Sequence, residues 1–310
     1  MNNEQEELIE KGNAAYDDRN WVEAVNYFGQ ASIISNNFEI NKKIVDSLVH
    51  LGRFEDGVEQ ASIYFDKYLE TNEDTKFLFE LLIAAHEFLL AHQFLAVIKS
   101  HSEFVLDSED QLLISQNLQQ EENAFEHEHS EELANQAKEL MSLVTMQEGV
   151  QANKIQNMKQ LPIKIYLEVV PNILLNPYLH PLFKTEIIEN LVKLKLEDTY
   201  SMSFYGELRE FMPSKLKTLM FSPEFLQARN LLQEKLTDYD DYESGLILNE
   251  FLLYLSLTYP FTSEIITNMD EWIEVYLDMR EGQTVANSGE NEEIVTWINR
   301  FNQLLENFGG

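Results

Sequence analysis

Apolar residues recur at three- and four-residue spacing from the start of the chain, which predicts paired amphipathic helices. A first helix is expected from about Glu4 to Asp17, with Leu8, Gly12 and Ala15 on its packing side. Asp17-Asp18-Arg19-Asn20 turns the chain, and a second helix starts near Trp21. There Val22, Val25, Phe28 and Ala31 form an apolar stripe, while Ala24 is small where the two helices must approach. A second pair is visible in LVHLGRFEDGVEQASIYF, with Gly52 and Phe54 at the turn and Gly57 in the place of Ala24. Residues 74–104 form a third pair by their apolar stripes.

The pattern then changes. From Ser100 to Ala137 there is no Lys or Arg and there are ten Asp or Glu, and a domain boundary is placed near here. Leu133, Ala137, Leu140 and Val144 keep helical spacing and suggest a long connecting helix, with disorder around residues 117–130 as the competing expectation. Pro162, Pro171, Pro177 and Pro181 punctuate short helices after it. In DTYSMSFYGELREFMP, Tyr200, Met202 and Phe204 alternate with small polar residues before a turn at Gly206-Glu207, which predicts a β-hairpin. Pro223 precedes a helix to about Leu236. Asp238 to Glu243 reads as an acidic, aromatic link whose tyrosines pack on neighbouring helices, followed by a helix from Leu246 to Leu257. In the last helix Ile294, Trp297, Ile298, Phe301, Leu304, Leu305 and Phe308 share a face, a core element or else a docking surface, with Ser288 and Glu290 to Glu293 suited to its N-terminal dipole. The expected organisation is a repeat domain over 1–105, an acidic linker and connecting helix over 106–158, and a helical domain over 159–310 with the hairpin near 199–213.

Gly12, Trp21, Ala24, Phe28 and Ala31 are spaced as in one tetratricopeptide (TPR) unit, and the first third of the chain resembles that family. The layout as a whole, with its hairpin YGELREFMP, is similar to an uncharacterised family of TPR-containing proteins of Gram-positive bacteria. The resemblance implies a mainly α fold: an array of about three helical hairpins, followed by an α-helical C-terminal domain with one β-hairpin. It also implies that the array receives a peptide or protein in its concave groove. Family members often hold a partner's C-terminal carboxylate through Asn and Lys or Arg side chains, and Asn13 sits where such an Asn would. Ile9 replaces the neighbouring basic position, and Asp46 stands at the equivalent Asn position of the second unit.

Composition changes this expectation in one respect. The 54 Asp and Glu against 22 Lys and Arg give a formal charge of −32, a field that repels nucleic-acid phosphates and anionic lipid. A neutral or basic protein or peptide partner is therefore expected, with no direct nucleic-acid or membrane binding. The absence of cysteine excludes disulfides and thiolate chemistry. The first residues lack a basic n-region and an apolar h-region, from which a cytoplasmic address is expected. Phe77 to Phe94 carries Glu80, His86 and Glu87 in its middle, which suits a buried helix better than a bilayer span.

No catalytic, cofactor or metal site is expected. Glu126-His127-Glu128-His129 places its histidines on different sides of a helix, His180 lies between prolines among apolar residues, and no glycine-rich nucleotide motif is present. The acidic run Asp238 to Glu243 lacks the glycine and glutamate spacing of a calcium loop. The groove is expected at Ile9, Asn13 and Tyr16 on the first helix and at Lys42, Asp46 and His50 on the third, since each set shares one face. The expected function is thus a non-catalytic adaptor, a monomer or weak homodimer. An acidic decoy that sequesters a basic nucleic-acid-binding protein, and an enzyme with a site between the domains, are the alternatives.

Overall fold

The computed structural model describes residues 3–100, 106–283 and 289–308. Among them the chain forms seventeen α-helices and one two-stranded antiparallel hairpin, so the fold is mainly α. Residues 101–104 of the expected third pair, and Ser288, lie outside the described residues. The chain divides into two compact units, Met1–Glu131 with Lys159–Ile163, and Glu132–Met158 with Lys164–Gly310. The segment 106–158 is thereby shared between the two.

The first unit contains α1 (Asn3–Asp17), α2 (Trp21–Ile34), α3 (Phe38–His50), α4 (Phe54–Ser62), α5 (Phe65–Tyr68), α6 (Asn72–Ala84), α7 (Phe88–Ser100) and α8 (Ser108–Glu128). Helices α1 to α4 pack each on the next, α6 packs on α4 and α7, and α8 packs on both α6 and α7. The turns between α1 and α2, α3 and α4, and α6 and α7 share one construction. Each places a single residue in the left-handed region: Arg19 (φ 58°), Gly52 (φ 68°) and His86 (φ 56°), 33 and 34 residues apart. At each, that residue's N–H donates to the carbonyl three residues back and the next N–H donates to the carbonyl five back: Arg19 to Tyr16 and Asn20 to Ala15, Gly52 to Val49 and Arg53 to Leu48, His86 to Ile83 and Glu87 to Leu82. This double bond pattern terminates a helix and satisfies carbonyls left open by its last turn.

Gly12 is required by packing. A Cβ there would lie 2.7 Å from Cε1 of the buried Phe28 ring. The Gln5 amide donates to the carbonyls of Ala31 and Ser35, fastening α1 to the end of α2. Fully buried Asn41 donates to the Gln60 carbonyl and accepts from the Tyr68 hydroxyl, so α3 holds α4 and the short α5 that the apolar pattern did not show. Residues 117–130, for which disorder was the competing expectation, are mostly helical, lying in α8 and at the start of the next helix. Leu118 and Glu122 of α8 are buried, and Phe125 packs on Phe88.

The second unit contains α9 (Ser130–Met141), α10 (Glu148–Asn157), α11 (Ile163–Leu175), α12 (Pro181–Lys193), β1 (Tyr200–Phe204), β2 (Glu207–Phe211), α13 (Pro223–Lys235), α14 (Asp241–Thr258), α15 (Thr262–Ile265), α16 (Met269–Arg280) and α17 (Gly289–Asn307). Pro171 lies inside α11 instead of ending a helix, because buried Val169, Val170, Ile173 and Leu174 on both sides of it anchor one continuous face. Pro181 and Pro223 do start helices, at the first position, where no N–H is needed.

The hairpin pairs Tyr200 with Phe211 and Phe204 with Glu207. Its two-residue turn is therefore Tyr205-Gly206, one residue earlier than the sequence suggests, with φ of 49° and 95°. Asp240 caps α14 by accepting from the Glu243 N–H at 2.8 Å. Asp241 to Glu243 thus belong to its first turn, and the Tyr242 ring is 78% exposed instead of packed. The face of α17 is core, with Ile294, Ile298 and Phe301 buried.

Candidate functional site

The expected groove residues come from α1 and α3, and the structure treats them unequally. The Tyr16 hydroxyl of α1 donates to the Asp46 carboxylate of α3. Burial first, and this hydrogen bond second, push the Tyr16 pKa up to about 12, so the phenol remains a donor throughout the neutral range. His50 lies one turn beyond Asp46. Its Nδ1 is 2.9 Å from the Asp46 backbone carbonyl and 3.6 Å from the carboxylate. A carbonyl only accepts, so Nδ1 carries a proton.

Two residues outside the expected set complete this cluster. The Trp21 indole stacks on His50 at 4.1 Å and meets the Tyr16 ring edge-on at 5.1 Å. Lys43 Nζ sits 3.7 Å from the centroid of the same Tyr16 ring, a cation–π contact. Tyr16, Asp46 and His50 therefore join Trp21 and Lys43 in a lock between α1, α2 and α3. Trp21 was visible as the start of the second helix. Its partnership with a histidine 29 positions later left no local signal.

Lys42 is drawn elsewhere. Its ammonium pairs with Asp74 of α6, a buried carboxylate that also accepts from the Thr71 hydroxyl at 2.8 Å. Lys42 thus neutralises a buried charge and ties α3 to α6. Ile9 is half-buried and packs on the core around Phe28. Asn13 is exposed and makes no side-chain hydrogen bond to another described residue.

The surrounding charge is lopsided. Residues 1–131 contain 27 Asp and Glu against 8 Lys and Arg. Of those cations Lys11, Lys42, Arg53, Lys67 and Lys76 are ion-paired, and Lys43 covers Tyr16. What α1 and α3 offer outward includes Asn13, part of Ile9, His50, the ion-paired Lys11 and carboxylates.

His127 is exposed, whereas His129 stacks on Phe125 and approaches its carbonyl at 3.1 Å. Among the described residues no group of three or more His, Asp or Glu could hold a metal ion, and no helix is long and apolar enough to cross a membrane. In comparisons with protein-family models, with curated proteins and with solved structures, nothing matches the chain.

Proposed function

We propose that the protein is a non-catalytic adaptor of the TPR type, whose first unit takes a neutral or basic segment of another protein across the α1–α3 face. The repeat reading is supported by the three identical turns at Arg19, Gly52 and His86. Repeats built in this way stack their hairpins and present one helix of each pair to a ligand.

The observation that carries the choice of partner is the Lys42–Asp74 ion pair. Lys42 is the cation of the groove set that could receive a terminal carboxylate, and it is already committed to a buried one. A carboxylate arriving here would meet Asp46 and the acidic background with Lys42 already committed, and like charges at an interface are costly. A basic or neutral segment meets acceptors and an apolar edge.

Fluorescence anisotropy with peptides sharing one apolar frame tests this reading. Flanks are lysine or glutamate, and C-termini are free or amidated. Lysine-flanked or unflanked peptides should bind whether or not the terminus is amidated, and Asn13→Arg should abolish that binding. Dependence on a free carboxylate would overturn the reading. Binding of lysine-flanked peptides alone that vanishes by about 0.15 M salt, where the Debye length is about 8 Å, would favour the acidic decoy instead.

A further inference from the structure

We infer that the second unit holds a binding site for a small organic anion, a carboxylate or phosphate carried on an apolar body, in the cavity between the β-hairpin, α12, α14 and α17, with Lys184 and Arg300 as the groups that receive its charge. This goes beyond the adaptor reading and does not depend on it.

The cavity has a volume of about 420 Å³, the size of a pocket for a small molecule. Its lining among the described residues counts sixteen, including Lys184, Arg300 and His180, and no Asp or Glu. From their share of the chain about three carboxylates would be expected there. In a protein of charge −32 this is a local reversal of sign, and a cavity with low-dielectric walls concentrates such a field.

Lys184 is 4% exposed, and its ammonium donates to the Ser203 carbonyl at 2.7 Å. No carboxylate pairs with it among the described residues, and its other two donors meet no acceptor there. Burying a charge without a counter-ion is expensive, and burial alone brings the Lys184 pKa down to about 8. An incoming oxyanion supplies the missing counter-charge and acceptors.

Among the described residues Arg300 is held by faces and not by ions. Its guanidinium lies 4.4 Å from the centroid of the Tyr205 ring and 5.2 Å from that of Trp297. Stacking of this kind leaves the N–H edge for bidentate contact with a carboxylate or phosphate.

Tyr205 is itself under constraint. It is a bulky residue at φ 49°, in a region such residues rarely occupy. Its hydroxyl donates to the Leu257 carbonyl at 3.1 Å, and Trp297 meets its ring edge-on at 5.0 Å. His180 has no part in receiving the anion, since its Nδ1 accepts from the Leu182 N–H and its Nε2 faces the Leu304 carbonyl. Leu257, Leu304, Met202 and Phe204 supply the apolar wall for the ligand's body.

The test is isothermal titration of the full chain at pH 7 and low salt with phenyl phosphate, hexanoate, inorganic phosphate and hexan-1-ol. Phenyl phosphate or hexanoate should bind at one saturable site, at least about tenfold more tightly than inorganic phosphate, and hexan-1-ol should not bind. Arg300→Gln, at an exposed position, and Lys184→Met should each weaken that binding about tenfold or more. If Lys184→Met fails to fold by circular dichroism, Arg300→Gln carries the test. Absence of saturable binding by either organic anion, equal binding of inorganic phosphate, or wild-type affinity in the folded variants would overturn the proposal.

Discussion

The hydroxyl of Tyr16 donates to the carboxylate of Asp46, thirty residues further along the chain, and so joins the first helix to the third across the second. A neutral donor on a charged acceptor is the stronger kind of hydrogen bond. Because the pair is only half-buried, Tyr16→Phe should cost about 1 kcal/mol at neutral pH. Tyr16→Phe, Asp46→Ala and the double variant, compared by urea denaturation, should show a coupling energy of similar size. Additive effects would mean that the contact does not stabilise the unit.

Gly12 and Gly29 make a matched contrast. A methyl at Gly12 would enter the buried Phe28 ring, with Cδ1 and Cε1 both under 3 Å, whereas one at Gly29 meets nothing within 4 Å. Gly12→Ala should therefore destabilise by about 1–3 kcal/mol through overpacking. Gly29→Ala should stabilise by up to about 1 kcal/mol through helix propensity. Thermal unfolding of the two variants side by side reads the difference in sign.

Glu122 of α8 is a buried junction. Its Oε1 accepts from the Ile163 N–H at 2.6 Å, and its Oε2 is 3.0 Å from His92 Nε2. Glu122→Ala strands both groups and should cost about 2–4 kcal/mol. Glu122→Gln keeps an acceptor for Ile163 and should cost less. Hydrogen exchange at the Ile163 amide should rise sharply in the alanine variant alone, and equal exchange in both would contradict the assignment.

Alkaline pH should unfold the protein in a defined window. Burial raises the pKa of Tyr16, Tyr68, Tyr166, Tyr205, Tyr254, Tyr259 and Tyr276 above the ordinary 10.0. A raised folded-state pKa means that the unfolded chain binds fewer protons above pH 10, so stability is fully present below that pH and falls as pH rises. For Tyr16 the loss runs from pH 10.0 to about 12. Tyrosinate absorbance should thus show a minority of the 13 tyrosines ionising in the folded state, with the rest ionising together with the loss of helical circular dichroism. Independent ionisation of all of them near pH 10 would refute the burial of these rings.

Local pattern alone determined the helix pairs around Trp21 and Phe54, the place of Gly12 on the packing side of the first helix, and the alternation that makes residues 200–211 a hairpin, because helix period, turn chemistry and strand alternation are properties of neighbours in the chain. Tertiary structure decided what local pattern leaves degenerate. Pro171 stays inside a helix because buried residues on both sides outweigh one lost hydrogen bond. Residues 117–130 are mostly helical because Leu118 and Glu122 are buried in the first unit's core. Tyr16, Asp46 and His50 lie where helical spacing indicated, yet only the folded chain shows them locked with Trp21, and Lys42 spent on Asp74. Lys184 and Arg300, 116 residues apart, share one cavity by a pairing that no periodicity encodes, since a side chain's neighbours in space are set by packing between helices and not by the helix that carries it.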